Sequence, residues 1–468
     1  MSSPPMPLAL HSLGRPDAPD FDRPGAARAI KQAIAAGRQA DIATWLEHAQ
    51  SADIADVLGE LGRDTLAAAM DLLPLEERAA VLGHLPTGRQ AAFVAGLDRR
   101  ALGQLLHEMS ADERADLFNA MAPGEQDRLL PALAQAERED IRRLSAHPEG
   151  TAGAVMTSEY ASLSPELDAR AAVEELRRVA PDKETIYSAF VVDGERRLLG
   201  VVSLRDLIVA PPTAPIATLM DPDVIHARVT DGQESAAEKI ARYDLIALPI
   251  LDADDRLVGI LTADDAMDVA EAEATEDFHR AGGAIGTLGA SVRDASIRRL
   301  YSTRVTWLVL LVFANLFSGA GIAYYEDTIA SNMALLFFLP LLIASAGNAG
   351  AQASTLMVRA MATGDVEMRD WARMLGREFL VAALLGLTMS AAIVGIGVWR
   401  GGVGVAQVVA ITMAVVVVIG SLIGMSLPFV LSRLRLDPAT ASGPLVTSIA
   451  DIAGVMIFFG IASAMLIQ

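Results

Sequence analysis

Gly443-Pro444-Leu445-Val446-Thr447-Ser448-Ile449-Ala450-Asp451-Ile452-Ala453-Gly454 opens a segment that runs to Gln468 with Asp451 as its one charged residue. A carboxylate at that depth in an apolar span costs roughly 2.5–3.5 kcal/mol on insertion scales, so such residues usually face a pore or cavity and mark an ion path. Its negative sign points to a cation. The plain alternative is an Asp hydrogen-bonded to a neighbouring helix for packing.

Working back from this segment, the chain reads as five membrane spans, at about 305–323, 332–358, 378–398, 405–431 and 444–467. Each reaches the roughly 20 residues that a bilayer requires. Arg359, Arg369, Arg373 and Arg377 lie between the second and third spans, and Arg433 and Arg435 between the fourth and fifth. The first connection has Glu326 and Asp327 and no base, and the third has only Arg400. Positive charge stays inside, so a multi-pass plasma (inner) membrane protein is expected, with its N-terminus cytoplasmic and its C-terminus outside. The second span holds Pro340 and then Gly347-Asn348-Ala349-Gly350-Ala351-Gln352. Small residues there permit close helix approach, and the Asn and Gln amides need partners or water.

From Tyr301 onward eight acids are balanced by eight arginines, so the whole net charge of −20 lies in the first 300 residues. An acidic soluble surface argues against nucleic acid and attracts cations. With no cysteine, neither disulfides nor thiolate metal sites are available. No apolar stretch near Met1 resembles a signal peptide. Six prolines between Met1 and Pro24 predict a disordered tail over 1–26.

A helical repeat follows over 27–148. Leu61, Leu73, Leu85, Leu97, Met109, Met121 and Leu133 recur every twelve residues, each preceded by an apolar pair three and four positions earlier, such as Val57 and Leu58. Apolar residues at i, i+1 and i+4 mark one face of a short helix. One such helix cannot bury its own face, so the units must stack into a small superhelix. Exposed acids such as Glu77, Asp112, Glu113 and Asp116 read first as solvated helix faces.

A second repeat occupies 149–270. Val155-Met156-Thr157 opens one unit and Leu219-Met220-Asp221 the next. Each continues with a helix (Ala171 to Val179; Ala236 to Tyr243) and two strands, and ends alike: Gly200-Val201-Val202-Ser203-Leu204-Arg205-Asp206 and Gly259-Ile260-Leu261-Thr262-Ala263-Asp264-Asp265. This pattern resembles a tandem pair of CBS domains, α/β regulatory modules that often hold adenine nucleotides between the units. The resemblance makes Tyr187, Arg205, Asp206 and Asp244 candidate contacts for a nucleotide such as ATP. A pair that only dimerises and binds metal is the alternative. Next, Asp264 to Asp277 mixes Ala with Asp and Glu at helical spacing. Like charges that close repel, so the stripe suits hard cations, which take carboxylate oxygen, or it is a soluble linker helix.

The Pro340 and Gly-Asn-x-Gly-x-Gln span, the Asp437-Pro438 pair and the final Pro444…Asp451…Gly454 helix, with the helical domain, CBS pair and acidic helix in this order, resemble the MgtE family of magnesium channels. Ala344 and Ala346 depart from the Gly that relatives often carry. The glycines at 282–289 interrupt the connecting helix expected over 271–300, before the membrane domain of 301–468. The resemblance implies a non-enzymatic homodimer in the bilayer with the ion path between subunits. Asp451 and Asn348 would be pore residues, with magnesium, and by extension manganese or cobalt, as the ion. It also implies a gate closed by cytoplasmic magnesium at Asp112 and Asp116, at Glu234 and Asp244, and at Asp265, Asp268, Glu273, Glu276 and Asp277. A proton- or sodium-coupled exporter and a membrane-anchored nucleotide sensor remain the competing readings.

Overall fold

The computed structural model describes residues 21–47, 49–283, 296–441 and 443–466. Gly286, Gly289 and Arg293 of the glycine-rich and basic stretch lie outside the described residues. The chain forms two compact units, Met1–Glu271 and Ala272–Gln468.

The first unit opens with short helices: α1 (Arg23–Ala35), α2 (Gln39–Leu46), α3 (Ser51–Leu58), α4 (Arg63–Met70), α5 (Leu75–Gly83), α6 (Thr87–Val94), α7 (Arg99–Glu108), α8 (Ala111–Ala120), α9 (Pro123–Leu129) and α10 (Gln135–Leu144). The tail expected over 1–26 is too long at its end, because Arg23–Ala26 are already helical and Ala26 is fully buried. Asp22 caps α1 through the Gly25 N–H at 2.9 Å, and Pro24 sits in the first turn, where its missing N–H costs nothing. The twelve-residue repeat also differs in detail. Val57 and Leu58 lie on a helix, but Leu61, Leu73 and Leu85 fall in the turns that follow, where they are buried as loop anchors. The Leu61 N–H bonds back to Leu58 O at 3.0 Å, closing the turn over the same core.

Two α/β units complete this body. The first has β1 (Tyr160–Leu163), α11 (Ala169–Val179), β2 (Thr185–Val192), β3 (Leu198–Ser203) and α12 (Leu204–Val209). After a short α13 (Ile216–Leu219), the second has β4 (Ala227–Arg228), α14 (Gln233–Tyr243), β5 (Ala247–Leu251), β6 (Leu257–Thr262) and α15 (Ala263–Ala281). Each sheet has a parallel pair followed by an antiparallel pair, β1-β2-β3 and β4-β5-β6. Ser188 opposes Ser203, and Ala247 opposes Thr262, so the two units correspond register for register. Phe190 and Val201 of one sheet share a core with Ala247, Leu251 and Ile260 of the other. The last CBS helix and the connecting helix are one element, α15, which begins inside the pair and ends before Gly282. Gly283 has φ +77°, a conformation that favours glycine and ends a helix.

The second unit is helical: α16 (Ile297–Tyr324), α17 (Glu326–Ser331), α18 (Leu335–Ala362), α19 (Trp371–Arg433) and α20 (Gly443–Leu466). At 1.5 Å per residue, the 63 residues of α19 would measure about 95 Å, three times a hydrocarbon core. Gly402 breaks it, with φ 75° and ψ −178°. Beyond that point the chain returns along itself. Ser390 Oγ donates to Ala410 O at 2.6 Å, and a Cβ on Gly397 would stand 2.9 Å from Ala406 Cα. The two limbs are antiparallel, so among the described residues the four membrane-length apolar helices supply five apolar crossings. Pro428 does not end its span, since the helix continues to Arg433. The glycines of the second span supply close contact, as expected: a Cβ on Gly350 would lie 2.7 Å from Gly420 O, and one on Gly424 would overlap Gly350 O.

Candidate functional site

Asp451 projects from the first half of α20 toward α18. Its Oδ1 would be 3.6 Å from a Cβ placed on Gly347, and Thr447, one turn earlier, packs on the same glycine. A Cβ there would crowd Thr447, at 3.1 Å, while meeting the carboxylate only at ordinary contact distance. The group is half-buried, and among the described residues it has neither an ion pair nor a hydrogen bond. The packing alternative, a hydrogen bond to a neighbouring helix, therefore has no partner here. Asn348 follows Gly347 and is exposed on the outer face of α18 in the single chain, as is Ala344 one turn before it. An exposed amide on a membrane helix needs water or another polypeptide. Ala346 is fully buried, its backbone against Gly420.

In the soluble body, α8 carries Asp112, Glu113 and Asp116 to the α/β pair, where they meet Asp264, Asp265 and Asp268 at the start of α15, and Glu159 and Glu184 beside β1 and β2. Burial, then Asp112, Asp264 and Asp268, push Asp265 up to about 7 against the Thr262 hydroxyl that bonds it at 2.5 Å. Desolvation and the charges of Asp112, Asp265, Glu159 and Asp264 push Glu184 up to about 7. Desolvation, Asp112 and Glu113 push Asp116 up to about 6. Glu113 is raised by burial and then by Asp112. Asp116 and Glu184 are exposed by surface area, so solvent screens these charges and their shifts count for direction more than size, whereas Asp265 is only partly exposed. Asp112 Oδ1 is buried without a hydrogen-bond partner. Among the described residues no three His, Asp or Glu side chains are gathered to hold a bare metal ion. The carboxylates form a loose basin, which suits an ion that keeps its waters. Glu113, Glu159 and Glu184 join this acidic neighbourhood only through helices and strands that come together in the fold, so their sequence positions give no sign of it.

The other candidate acids lie elsewhere. Glu234 is in the first turn of α14 and Asp244 caps its far end at φ 53°, about 15 Å away along the helix. Within one chain they do not share an ion. Near the end of α15, Glu276 accepts from Arg280 at 2.5 Å, and Arg280 also pairs with Asp437 of the Asp437-Pro438 turn. Asp277 is raised by burial, with Glu273 and Glu276 adding to the effect and Arg280 and Arg359 opposing it. Here basic residues already partner the acids, which the acidic text of this helix did not indicate.

Tyr187, Arg205 and Asp206 gather at one end of the first sheet. Tyr187 adjoins the Ser188–Ser203 pair, and Ser203 caps α12 through the Asp206 N–H at 3.0 Å. All three are exposed, as is Asp244 at the matching end of the second unit. By strand register Asp265 stands in the second unit where Asp206 stands in the first. The first unit thus offers an Arg and an aromatic ring at this end, and the second sets Asp244 and Asp265 there, with Arg242 stacked on the exposed Tyr243 just before Asp244.

A carboxylate within a bundle of membrane-length apolar helices, continuous with a body that crowds acids, is the build of a membrane transport protein. Comparison with known proteins makes the class specific. The divalent cation transporter domain of the MgtE family matches residues 339–461, the MgtE intracellular N domain 49–150, and the CBS domain 152–212 and 216–272. Magnesium transporter MgtE of Thermus thermophilus is 40% identical over 329 residues, 70% of this chain and 73% of the relative. Magnesium transporter MgtE of Bacillus subtilis is 36% identical over 363 residues, 77% and 79% of the two chains. A crystal structure of the cytosolic domain of the Mg2+ channel MgtE in complex with ATP superposes with TM-score 0.50 at 36% identity, over 52% of this chain and 99% of that one. The chain belongs to the MgtE family of divalent cation transporters.

Proposed function

We propose that this protein is a magnesium channel or transporter that admits Mg2+ down its electrochemical gradient and is closed by cytoplasmic Mg2+. The observation that carries the reading is Asp451, a half-buried carboxylate on a membrane-length apolar helix beside Gly347, with no ion pair among the described residues. A homodimer would bring two such carboxylates to one path. Magnesium dehydrates reluctantly, so the pair would hold it through its waters, with manganese and cobalt as further candidate ions. An inside-negative potential is worth about 2.3 kcal/mol per charge per 100 mV, doubled for a divalent ion, so inward flux needs no other energy source. The relatives named as magnesium transporters support the choice of ion.

Closure follows from the acid basin of Asp112, Asp116, Asp265 and Asp268, with Glu273, Glu276 and Asp277 on the lower part of α15. Without a cation these acids repel. Internal magnesium would bridge them and favour the closed state by its differential affinity. Glu234 and Asp244 would act on separate ions or across subunits. Tyr187, Arg205, Asp206 and Asp244 would take ATP as a regulator, as the cytosolic domain of the related channel is described in complex with it. Uptake in cells lacking other magnesium entry routes tests the reading. Magnesium-dependent growth and flux that persist without a proton or sodium gradient support it. Flux that requires such a gradient overturns it in favour of an exchanger.

A further inference from the structure

Helix α8 docks the helical domain on the α/β pair. Its Ala111 and Ala115, with Leu144, share an apolar cluster with Ala152, Met156, Ile240, Ala266 and Val269. The charged residues at this contact are mostly acids, and the charged neighbours that shift Asp116, Glu184 and Asp265 are all carboxylates. Glu159 differs. The guanidinium of Arg114, on the same helix, lies beside it. Arg114 is 5% exposed. Its Nη1 donates to the main-chain oxygens of Leu106 at 3.3 Å and Met109 at 2.5 Å, at the end of α7. Its Nη2 donates to Glu159 Oε1 at 2.8 Å, 45 residues away in the α/β pair.

These bonds divide by location. The two carbonyl contacts are internal to the helical domain and hold the guanidinium in place whether or not that domain is docked. Only the bond to Glu159 crosses the contact. We propose that Arg114 is a built-in latch, a positioning residue that holds the helical domain on the α/β pair without metal and so sets the magnesium concentration at which the protein closes. This rests on the reading of the acid basin as the closing site. A charge-assisted hydrogen bond is stronger than a neutral one, and a buried guanidinium deprived of its carboxylate is penalised further. Closure that takes up several ions divides this effect among them, so the midpoint moves by less than the full factor.

The test uses the full-length protein in lipid nanodiscs for protease protection, and membrane patches for open probability, each against internal Mg2+. Glu159→Gln keeps an acceptor of the same shape and leaves the α7 contacts of Arg114 intact. It is expected to raise the closing midpoint about two- to fivefold. Arg114→Gln should shift it in the same direction, and the double variant no further than the larger single one. If Glu159 is instead a magnesium ligand that Arg114 competes for, Glu159→Gln raises the midpoint while Arg114→Gln lowers it, and the latch is refuted. An unchanged midpoint for Glu159→Gln refutes it as well. Should the wild-type protein fail to respond to magnesium at all, the acid basin has been misread. The latch then stands or falls on whether Glu159→Gln is cut faster than wild type in magnesium-free buffer.

Discussion

Asp451 lies against Gly347, with its Oδ1 3.6 Å from where a Cβ on that glycine would stand. The glycine that admits the second span to the fifth, where Thr447 leaves no slack for a side chain, thus also borders the carboxylate. Asp451→Asn preserves the shape and removes the charge. It should lower magnesium uptake by about tenfold or more, equivalent to roughly 1.4 kcal/mol or more of lost binding or barrier. Radiotracer or dye-based uptake at matched membrane abundance measures this. Near-normal uptake by both Asp451→Asn and Asp451→Ala would remove Asp451 from the ion path.

The second and fourth spans meet backbone to backbone at Gly350 and Gly424. A methyl group at Gly424 has no room. Gly424→Ala should cost about 1–3 kcal/mol through overpacking and lower the melting temperature of the detergent-purified protein. Gly376→Ala, at a site with nothing within 4 Å, is the control and should melt like wild type. Equal melting of the two variants would show that the close approach is not needed.

The membrane spans, the two repeats and the lone carboxylate were legible because each rests on a periodic or compositional signal that the chain carries locally. The parallel strands β1 and β4 were missed, since β4 has only two residues, Ala227 and Arg228, and no alternation to read. The merging of the last CBS helix with the connecting helix was missed for a similar reason: the text of α15 is helical throughout and gives no boundary. For the site, the carboxylates of α8 and α15 could be listed from sequence, but not which of them meet. Glu184 comes near Asp265 because its N–H bonds Glu159 O at 2.8 Å and Thr157, two residues before Glu159, pairs with Ile260 of β6, a long-range relation. Arg280 was hidden differently, because its partner Asp437 lies 157 positions away across an unrelated stretch of chain.

The acid basin predicts a pH dependence with a definite sign. Asp265 and Glu184 are held near 7 and Asp116 near 6, above the ordinary values of 3.8 for Asp and 4.5 for Glu. The docked state therefore binds more protons than the undocked state between about pH 4 and 7, and its stability falls as pH rises through that window and levels off above it. In magnesium-free buffer, protease cutting of the soluble body should increase from pH 5.5 to 7.5. Saturating magnesium supplies the missing positive charge and should flatten the profile. A magnesium-free profile that is flat or runs the other way would show that these acids do not oppose docking.

Asp265 and Asp268 lie at the start of α15 and Glu276 nearer its end, where Glu276 is bonded to Arg280 and Arg280 to Asp437. Asp437 in turn holds the turn that leads into the helix of Asp451, its Oδ1 accepting from the Ala439 N–H at 2.8 Å. Neutralising Asp265, Asp268 and Glu276 together removes two carboxylates from the basin and one from the pair that steadies Arg280. Magnesium then has less differential affinity for the closed state, and an effector shifts an equilibrium only by that difference. The triple variant should stay open at internal magnesium that closes the wild type, with its midpoint raised by about tenfold or more. It should also lose protection of the soluble body by magnesium. Because Asp451 is untouched, conduction through an open pore should be unchanged. Patch recordings separate the two effects. Closure of the triple variant over the wild-type magnesium range would rule out these three acids as the gate, whatever is found at Asp451.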